Sequence, residues 1–422
     1  MSAPDTSSHS FDGAYYAPVG LAKIELWLAC LAIFLAPINA FRLPSVYVTA
    51  SDVVVMVCLG ILMIRPFMLG QRLHLLPKLY VLGLLIFLVA LLLSSLINGD
   101  LTRGLIGQVQ YLFAYGLLPL IILRAHPSES LLIAKFFLAA ILFICLHGIW
   151  LTTLENVDTR YMSPPGRGRG LGERENETAS LISLTVPLVI WMMRTGVLRA
   201  WFGLIVLGTL LYTVMLTGSN TGLLTFVLGV VLMQLASPRP FRDFTLLIAA
   251  GSAVVVTVMF FGEAILPEIF VKRVYGALST GDLSQAGTVV GRLNLNFEAL
   301  RIAHDNLLIG QGMDQYRLQS AYGAPVHNAY LLLLNEGGAF TVIGLLMIFL
   351  GVATVGLVLI AYPESRVTGL YLLVTITLFA MAISAAAHVY GRFWVTTWLV
   401  ALSLALTAER PGGSLASKMG PR

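Results

Sequence analysis

Long apolar runs separated by short polar connections dominate the chain between residues 23 and 409. The hydrocarbon core of a bilayer is about 30 Å thick and takes about twenty helical residues, so each run predicts one membrane span. We expect the longest run, 329–360, to combine a short tilted helix with a spanning one. The pattern predicts about twelve spans, near 23–41, 52–70, 77–97, 104–123, 129–152, 178–194, 198–217, 220–236, 242–262, 329–360, 367–388 and 392–409.

The composition supports the same fold class. Apolar residues make up 58% of the 422 residues and charged residues only 11%, whereas about a quarter of a typical soluble domain is charged. These values exclude an ordinary soluble protein and predict an all-α, polytopic integral membrane protein with one domain over residues 23–409. Cys30, Cys58 and Cys145 fall within predicted spans without metal-ligand spacing, so we interpret them as small core residues.

Lysine and arginine in the short connections indicate an orientation. If the tail 1–22 is cytoplasmic, the cytoplasmic connections and the tail 410–422 carry most of these cations. The opposite short connections carry only Arg42, Arg103 and Arg392. Because the cations are dispersed among loops, we expect no nucleic-acid partner.

The two longest polar segments, about 153–177 and 263–328, both lie on the exterior side in this orientation. The first contains PPGRGRGLGERENETA and places four arginines close to three glutamates. Guanidinium groups bind phosphate oxygens bidentately and stay charged, so the segment could hold a pyrophosphate. A solvated loop whose charges neutralise one another explains the composition equally well. The residues concerned are Arg160, Arg167, Arg169, Arg174, Glu173, Glu175 and Glu177.

In the second segment, helical spacing of Leu293, Phe297 and Leu300 predicts an amphipathic helix that lies on the membrane or on the helix bundle. Arg292 stands at the start of this helix, and the turn 310–312 ends the element. From these residues alone, an interfacial anchor is favoured over a catalytic role for Arg292.

His327 opens the stretch HNAYLLLLNEGGAFT, where the polar segment meets an apolar run. At a helix N-terminus the positive form of an imidazole is disfavoured, which leaves a neutral side chain that can act as a general base. A capping or interfacial histidine explains the local sequence equally well. Glu336 follows nine residues later, and it could orient a neighbouring arginine or remain a protonated helix-packing residue.

These residues resemble the motifs of a family. The pair His327-Asn328 with the downstream Glu336 is similar to the His-Asn element of the O-antigen ligase and polysaccharide polymerase superfamily. The pair Gly291-Arg292, followed by LLIGQG, is similar to the Gly-Arg element of the same family. Members of this family are membrane glycosyltransferases that use polyprenyl-diphosphate-linked glycans.

A third match and one departure concern the first polar segment. The stretch from Arg169 to Asn176 resembles a family element that precedes a span. Asn220 stands where the family commonly has an arginine, so one expected phosphate-binding cation is missing. By the resemblance, Arg169 or Arg174 from the neighbouring loop could substitute for it.

The resemblance implies transfer of a glycan from undecaprenyl diphosphate to an acceptor sugar hydroxyl, lipid A-core in a ligase, with inversion. It implies His327 as the catalytic base and Arg292 as a catalytic cation, with no metal or other cofactor. The enzyme would lie in the bacterial inner membrane with its active face in the periplasm. Two alternatives stay open: a polymerase that joins lipid-linked repeat units, and a transporter of polysaccharide or lipid-linked glycan. The implied substrate-binding residues are Arg169, Arg174, Asn176, Asn328, Glu336 and Asn220.

Overall fold

The computed structural model of the protein is mostly helical and describes residues 19–39, 42, 48–152, 154, 161–163, 166–172, 174–235, 245, 267–271, 289–387 and 389–409. Two short strands, β1 (Met162–Ser163) and β2 (Arg167–Gly168), pair in antiparallel fashion. The helices are α1 (Val19–Leu35), α2 (Ala50–Ile64), α3 (Pro66–His74), α4 (Lys78–Ile97), α5 (Leu101–Tyr111), a π-helical turn (Leu112–Leu117), α6 (Leu118–Ile122), α7 (Pro127–Leu151), α8 (Glu175–Leu184), α9 (Val186–Arg194), α10 (Ala200–Thr217), α11 (Asn220–Leu235), α12 (Glu268–Phe270), α13 (Val289–Asp305), α14 (Tyr316–Gln319), α15 (Ala329–Ile360), α16 (Arg366–Ala382), a 3-10 turn (Ile383–Ala385) and α17 (Arg392–Thr407).

Among the described residues, seven helical stretches are long and apolar enough to cross a membrane. The pair α2 and α3, bent by 109°, makes an eighth if it counts as one span, and α11 and α17 are apolar but shorter. The all-α membrane class is confirmed in this coarser form, whereas the prediction of twelve spans is not confirmed. The predicted span 242–262 lies outside the described residues except for Thr245. The seven stretches are Lys78–Ile97, Leu101–Ile122, Pro127–Leu151, Glu175–Arg194, Ala200–Thr217, Ala329–Ile360 and Arg366–Ala385.

Helix α15 bends at Gly338, whose backbone has φ 75° and ψ −176°. Glycine adopts a positive φ at little cost because it has no Cβ atom. The predicted division of the 329–360 run into a short helix and a spanning helix is therefore confirmed. Gly338 also lies directly against the backbone of Leu308 and Ile309, where a Cβ atom would clash.

Replacing Gly338 with alanine is expected to destabilise the protein by about 2–6 kcal/mol. A backbone in this region, which essentially only glycine adopts, costs a residue with a Cβ atom about 1–3 kcal/mol, and forced overpacking adds about 1–3 kcal/mol. The measurement is the thermal unfolding of the purified protein in detergent. Gly208→Ala is the control, because Gly208 lies within α10 with open space around it. Equal unfolding temperatures for Gly338→Ala and Gly208→Ala would contradict this account of the bend.

The turn 310–312 packs into the space beside this bend. The backbone N–H of Gln311 donates to the carbonyl of Asn335 at 2.7 Å, and that of Gly312 donates to Ser94 Oγ at 2.8 Å. The bend and the serine at the end of α4 thus supply acceptors for a polar loop that would otherwise be buried without partners. This arrangement joins α4, α15 and the segment that follows α13.

Helix α13 is present as predicted, and of the two predicted contacts for its apolar repeat, the membrane or the helix bundle, the packing excludes the bundle. Leu295 and Ala299 are buried with Leu332 of α15 in a small core. The apolar residues whose spacing predicted the helix point away from that core. The exposed residues are Leu293, Phe297 and Leu300.

A buried ion pair ties α1 to the bundle. Arg124 donates to both carboxylate oxygens of Glu25, at 2.6 and 3.0 Å, and both side chains are fully buried. Arg72 of α3 adds a hydrogen bond of 2.7 Å to the carbonyl of Leu123. Removing one partner from such a pair leaves an uncompensated buried charge, so this contact fixes the position of α1.

Candidate functional site

A cavity of about 630 Å³ lies among the ends of several helices. Its wall includes the segment before α15, the starts of α8, α13 and α17, and one face of α5. Four residues that the resemblance implies as functional meet there: His327, Arg292, Arg174 and Asn176. They come from three separate stretches of the chain, so the fold brings them together.

The position of His327 depends on Asn328, the residue that follows it. The side-chain oxygen of Asn328 accepts hydrogen bonds from the backbone N–H groups of Tyr330 at 3.1 Å and Leu331 at 3.3 Å. Such a cap satisfies amide groups that lack partners within the first helical turn. Asn328 therefore fixes the start of α15 and the backbone of the neighbouring His327. Asn328 itself does not line the cavity.

The imidazole of His327 is half-buried, and burial lowers its pKa below the usual value of about 6.5. The positive charges of Arg292 and Arg174 lower this pKa further, because nearby cations disfavour a protonated imidazole. The side chain is therefore neutral at pH 7 and can accept a proton. This state agrees with the prediction from the sequence, although burial and two arginines are its main causes.

Asn176 lies in the first turn of α8 and is held by an arginine of the preceding hairpin. Arg167 donates to Asn176 Oδ1 at 2.8 Å and to the carbonyl of Thr217 at 2.9 Å. It also lies 3.7 Å from a carboxylate oxygen of Glu175. Arg167 thus connects the hairpin, α8 and the end of α10, and it holds Asn176 at the cavity.

Arg169 and Asn220 lie outside the cavity wall. Arg169 borders a separate small space between α7 and α10, and its carbonyl accepts a hydrogen bond from Thr178 at 3.3 Å. Asn220 begins α11 and is half-buried, whereas the next residue, Thr221, lines the cavity. Of the two arginines that could substitute for the missing cation, the structure places Arg174 at the cavity.

Glu336 is buried beneath the cavity and acts on a neighbouring loop. One of its carboxylate oxygens accepts the backbone N–H of Asp314 at 2.9 Å. Asp314 lines the cavity and lies 2.8 Å from Arg103 and 2.6 Å from Arg317. Glu336 therefore orients two arginines indirectly, through the backbone of Asp314, and it does not contact the cavity itself.

Four arginines of the cavity wall were missed by sequence reasoning: Arg42, Arg103, Arg317 and Arg392. Three of them, all except Arg317, are the cations that the sequence places in the exterior connections, against the general pattern of charge. The placement of these three arginines against the pattern was the sequence signal that could have identified them. Arginines in connections that are expected to carry few cations indicate a function beyond membrane orientation.

Arg392 is the most firmly held of these arginines. Its Nε donates to Asp52 at 2.9 Å and its Nη1 donates to Gln110 at 2.6 Å. Its guanidinium carbon lies 4.9 Å from the ring centroid of Phe113. Asp52 is fixed in turn by a reciprocal capping box with Thr49 at the start of α2. Three helices therefore converge on this buried cation.

The wall as a whole carries an excess of positive charge. Its described residues include six arginines against three carboxylates, which favours an anionic ligand. No group of three or more histidine, cysteine, aspartate or glutamate side chains within the described ranges is placed to hold a metal ion. The arginines are Arg42, Arg103, Arg174, Arg292, Arg317 and Arg392, and the carboxylates are those of Glu175, Glu177 and Asp314.

Comparisons with known proteins add no further assignment. No protein-family model matches the chain, and no curated protein shows significant similarity to it.

Proposed function

We propose that the protein is a membrane glycosyltransferase of the O-antigen ligase type. The observation that carries this proposal is the meeting of a neutral histidine and two arginines in one cavity. His327 supplies a base for a sugar hydroxyl, and Arg292 and Arg174 supply fixed positive charge for a diphosphate. The resemblance of the same segments to the family motifs supports the same reaction.

The reaction is a direct displacement at the anomeric carbon of the donor glycan. His327 takes the proton of the acceptor hydroxyl as the acceptor oxygen forms its bond to that carbon. The bond between the anomeric carbon and the diphosphate oxygen breaks, and its electron pair stays on the diphosphate. Arg292 and Arg174 stabilise the charge on the departing group, and the configuration at the anomeric carbon inverts.

The donor in this proposal is a glycan linked to undecaprenyl diphosphate, and the acceptor is lipid A-core. The reaction would take place on the periplasmic side of the bacterial inner membrane, in lipopolysaccharide or surface polysaccharide biosynthesis. A polymerase would use the same groups with a second lipid-linked glycan as acceptor. Transport is less favoured, because transporter sites usually lie at the bilayer midplane, whereas His327, Arg174 and Arg392 lie at or beside helix starts.

The proposed function is tested with purified protein, a polyprenyl-diphosphate oligosaccharide, and lipid A-core either present or omitted. The products are resolved by mass. A ligase transfers the glycan to the core, whereas a polymerase builds a ladder on the lipid carrier without core. If active substrates yield no new glycosidic bond, the proposed function is wrong and transport becomes the better explanation.

The lipid chain of the donor is proposed to pass Ile106. This residue lines the cavity, yet it is exposed, as are Leu105 and Val109 on the adjoining face of α5. Replacing Ile106 with tryptophan is expected to slow transfer from an undecaprenyl donor about tenfold, or about 1.4 kcal/mol, and to affect a short-chain donor less. Rates with the two donors measure the effect, and Leu204→Trp serves as the control, because Leu204 is exposed on α10 and does not line the cavity. Equal slowing with both donors would argue against a lipid path at Ile106.

A further inference from the structure

We propose that Glu298 is a positioning residue for the candidate base: its carboxylate holds the segment 316–326 against α13, and His327 directly follows this segment. The inference rests on the proposed function, because it concerns the same histidine. It adds a residue that does not line the cavity and that no sequence motif indicated. In this account Glu298 affects the rate of transfer only through the place of His327.

Three hydrogen bonds converge on the carboxylate of Glu298. Ser320 Oγ donates to its Oε2 at 2.7 Å, and Tyr316 Oη donates to the same oxygen at 3.1 Å. The backbone N–H of Ala321 donates to its Oε1 at 2.8 Å. Ser320 Oγ accepts in turn from the backbone N–H of Tyr322 at 3.2 Å. Because an ionised carboxylate is a strong acceptor with no donor of its own, it matches three donors and closes the turn after α14 onto α13.

Apolar packing completes the contact between α13 and the segment. The side chain of Glu298 is 9% exposed, and Leu295 and Ala299 lie beside it on the same helix. These two residues pack with Tyr316 and Val326, the first and last residues of the segment, in the small core described above. Since a buried carboxylate is costly unless it is hydrogen-bonded, the three hydrogen bonds are the condition for this packing. The segment is thus attached to α13 at both ends.

This attachment determines where His327 lies. Val326, the residue before it, is buried against α13, and Asn328, the residue after it, caps α15. Arg292 lines the same cavity from the first turn of α13. The helix that carries the cation and the segment that leads to the base therefore meet at Glu298. A misplacement of a reacting group by about 1 Å can lower a rate by about 100-fold.

The test measures kcat and KM for glycan transfer by the purified wild-type protein, Glu298→Ala and Glu298→Gln. We expect Glu298→Ala to lower kcat about tenfold to hundredfold and to leave KM within about threefold of wild type, because Glu298 does not line the cavity. Glutamine should restore most of the rate, because its oxygen can accept from Ala321 and its amide can donate to the hydroxyls of Ser320 and Tyr316. Asp305→Ala is the control, because it removes an exposed carboxylate from the same helix.

A double-mutant cycle with His327→Ala separates positioning from a general structural role. If Glu298 acts through His327, Glu298→Ala should lower the residual kcat of His327→Ala by less than about twofold. An equal fold-loss in both backgrounds, a loss confined to KM, or a wild-type kcat for Glu298→Ala would overturn the proposal. If Glu298→Ala does not fold, Ser320→Ala takes its place, because it removes one of the three hydrogen bonds and leaves the carboxylate. We expect a smaller loss of kcat for Ser320→Ala, and a wild-type kcat would then overturn the proposal.

Backbone hydrogen exchange separates this inference from the proposed function. If the wild-type protein forms no glycosidic bond with active substrates, the proposed function fails, and amide exchange of the purified proteins is then compared. Faster exchange across residues 316–328 in Glu298→Ala, with wild-type exchange in Asp305→Ala, would support the attachment of this segment without any transfer. Equal exchange in Glu298→Ala and the wild-type protein would contradict it.

Discussion

Replacing His327 with alanine is expected to lower the rate of glycan transfer by about 10²–10⁴-fold, the usual contribution of a positioned general base. The side chain of His327 lines the cavity. It is not needed as a helix cap, because Asn328 caps α15. Stability should change little, because the imidazole is only half-buried. The measurement is kcat with saturating donor and acceptor, together with thermal unfolding in detergent. A rate within threefold of wild type would remove His327 from the mechanism.

The pH dependence of kcat/KM provides an independent check on the same histidine. Burial and the charges of Arg292 and Arg174 lower the pKa of His327. The neutral, active form therefore persists below the usual histidine pKa of about 6.5, and the rate should fall only at lower pH. Arg174→Gln removes one cation, so it should raise the pKa of His327 and move the low-pH fall in kcat/KM toward higher pH. If this fall stays at the same pH, or moves to lower pH, Arg174 does not act on the base.

Replacing Arg292 with alanine is expected to cost about 10²–10³-fold in kcat, comparable with the loss of one group that stabilises charge in the transition state. Arg292 lies in the first turn of α13 and lines the cavity beside His327. Lysine at this position should restore part of the rate, because it keeps the charge but not the paired donors of a guanidinium. Transfer rates of the alanine and lysine variants measure both effects.

Arg301→Ala is the matched control for Arg292, since it removes an exposed arginine from the same helix. An interfacial anchor, the role that the local sequence alone favours for Arg292, predicts similar small effects for the two alanine variants. A large and specific loss with Arg292→Ala, partly restored by lysine, would separate a diphosphate-binding role from anchoring.

Much of the helical framework follows from the sequence because hydrophobic runs and glycine signals are local. The long run at 329–360 is one example: its division into a short helix and a spanning helix was expected, and the structure places the bend at Gly338. Helix α13 was also expected, with its apolar repeat against either the membrane or the bundle, and the structure shows that this repeat does not pack on the bundle. The apolar repeat of such a helix does not by itself reveal which surroundings the repeat contacts.

The candidate site was only partly predictable because its cations are distant in sequence. Arg392 donates to Asp52 across 340 positions of the chain, a contact that no local pattern indicates. Arg42 and Arg103 looked like isolated loop cations until the fold placed them on one wall. Arg169 is the converse case, because it belongs to a motif-like stretch but borders a separate small space outside the cavity. Only tertiary structure distinguishes these cases.

Glu336 illustrates a motif residue whose role is indirect. Its spacing from His327 excluded direct contact along an ideal helix, and the structure places its carboxylate on the backbone of Asp314. Asp314 then pairs with Arg103 and Arg317. The sequence could not reveal this connection, because Asp314 lies in a turn with a backbone conformation that non-glycine residues rarely adopt.

The most direct test of the central claim is the release of free polyprenyl diphosphate from a lipid-linked oligosaccharide donor by the purified protein. The assay contains acceptor and no nucleotide. The proposed displacement predicts release in step with glycan transfer for the wild-type protein, and a loss of both in His327→Ala. Transfer without released diphosphate, or equal release by wild type and His327→Ala, would contradict the proposed role of this cavity.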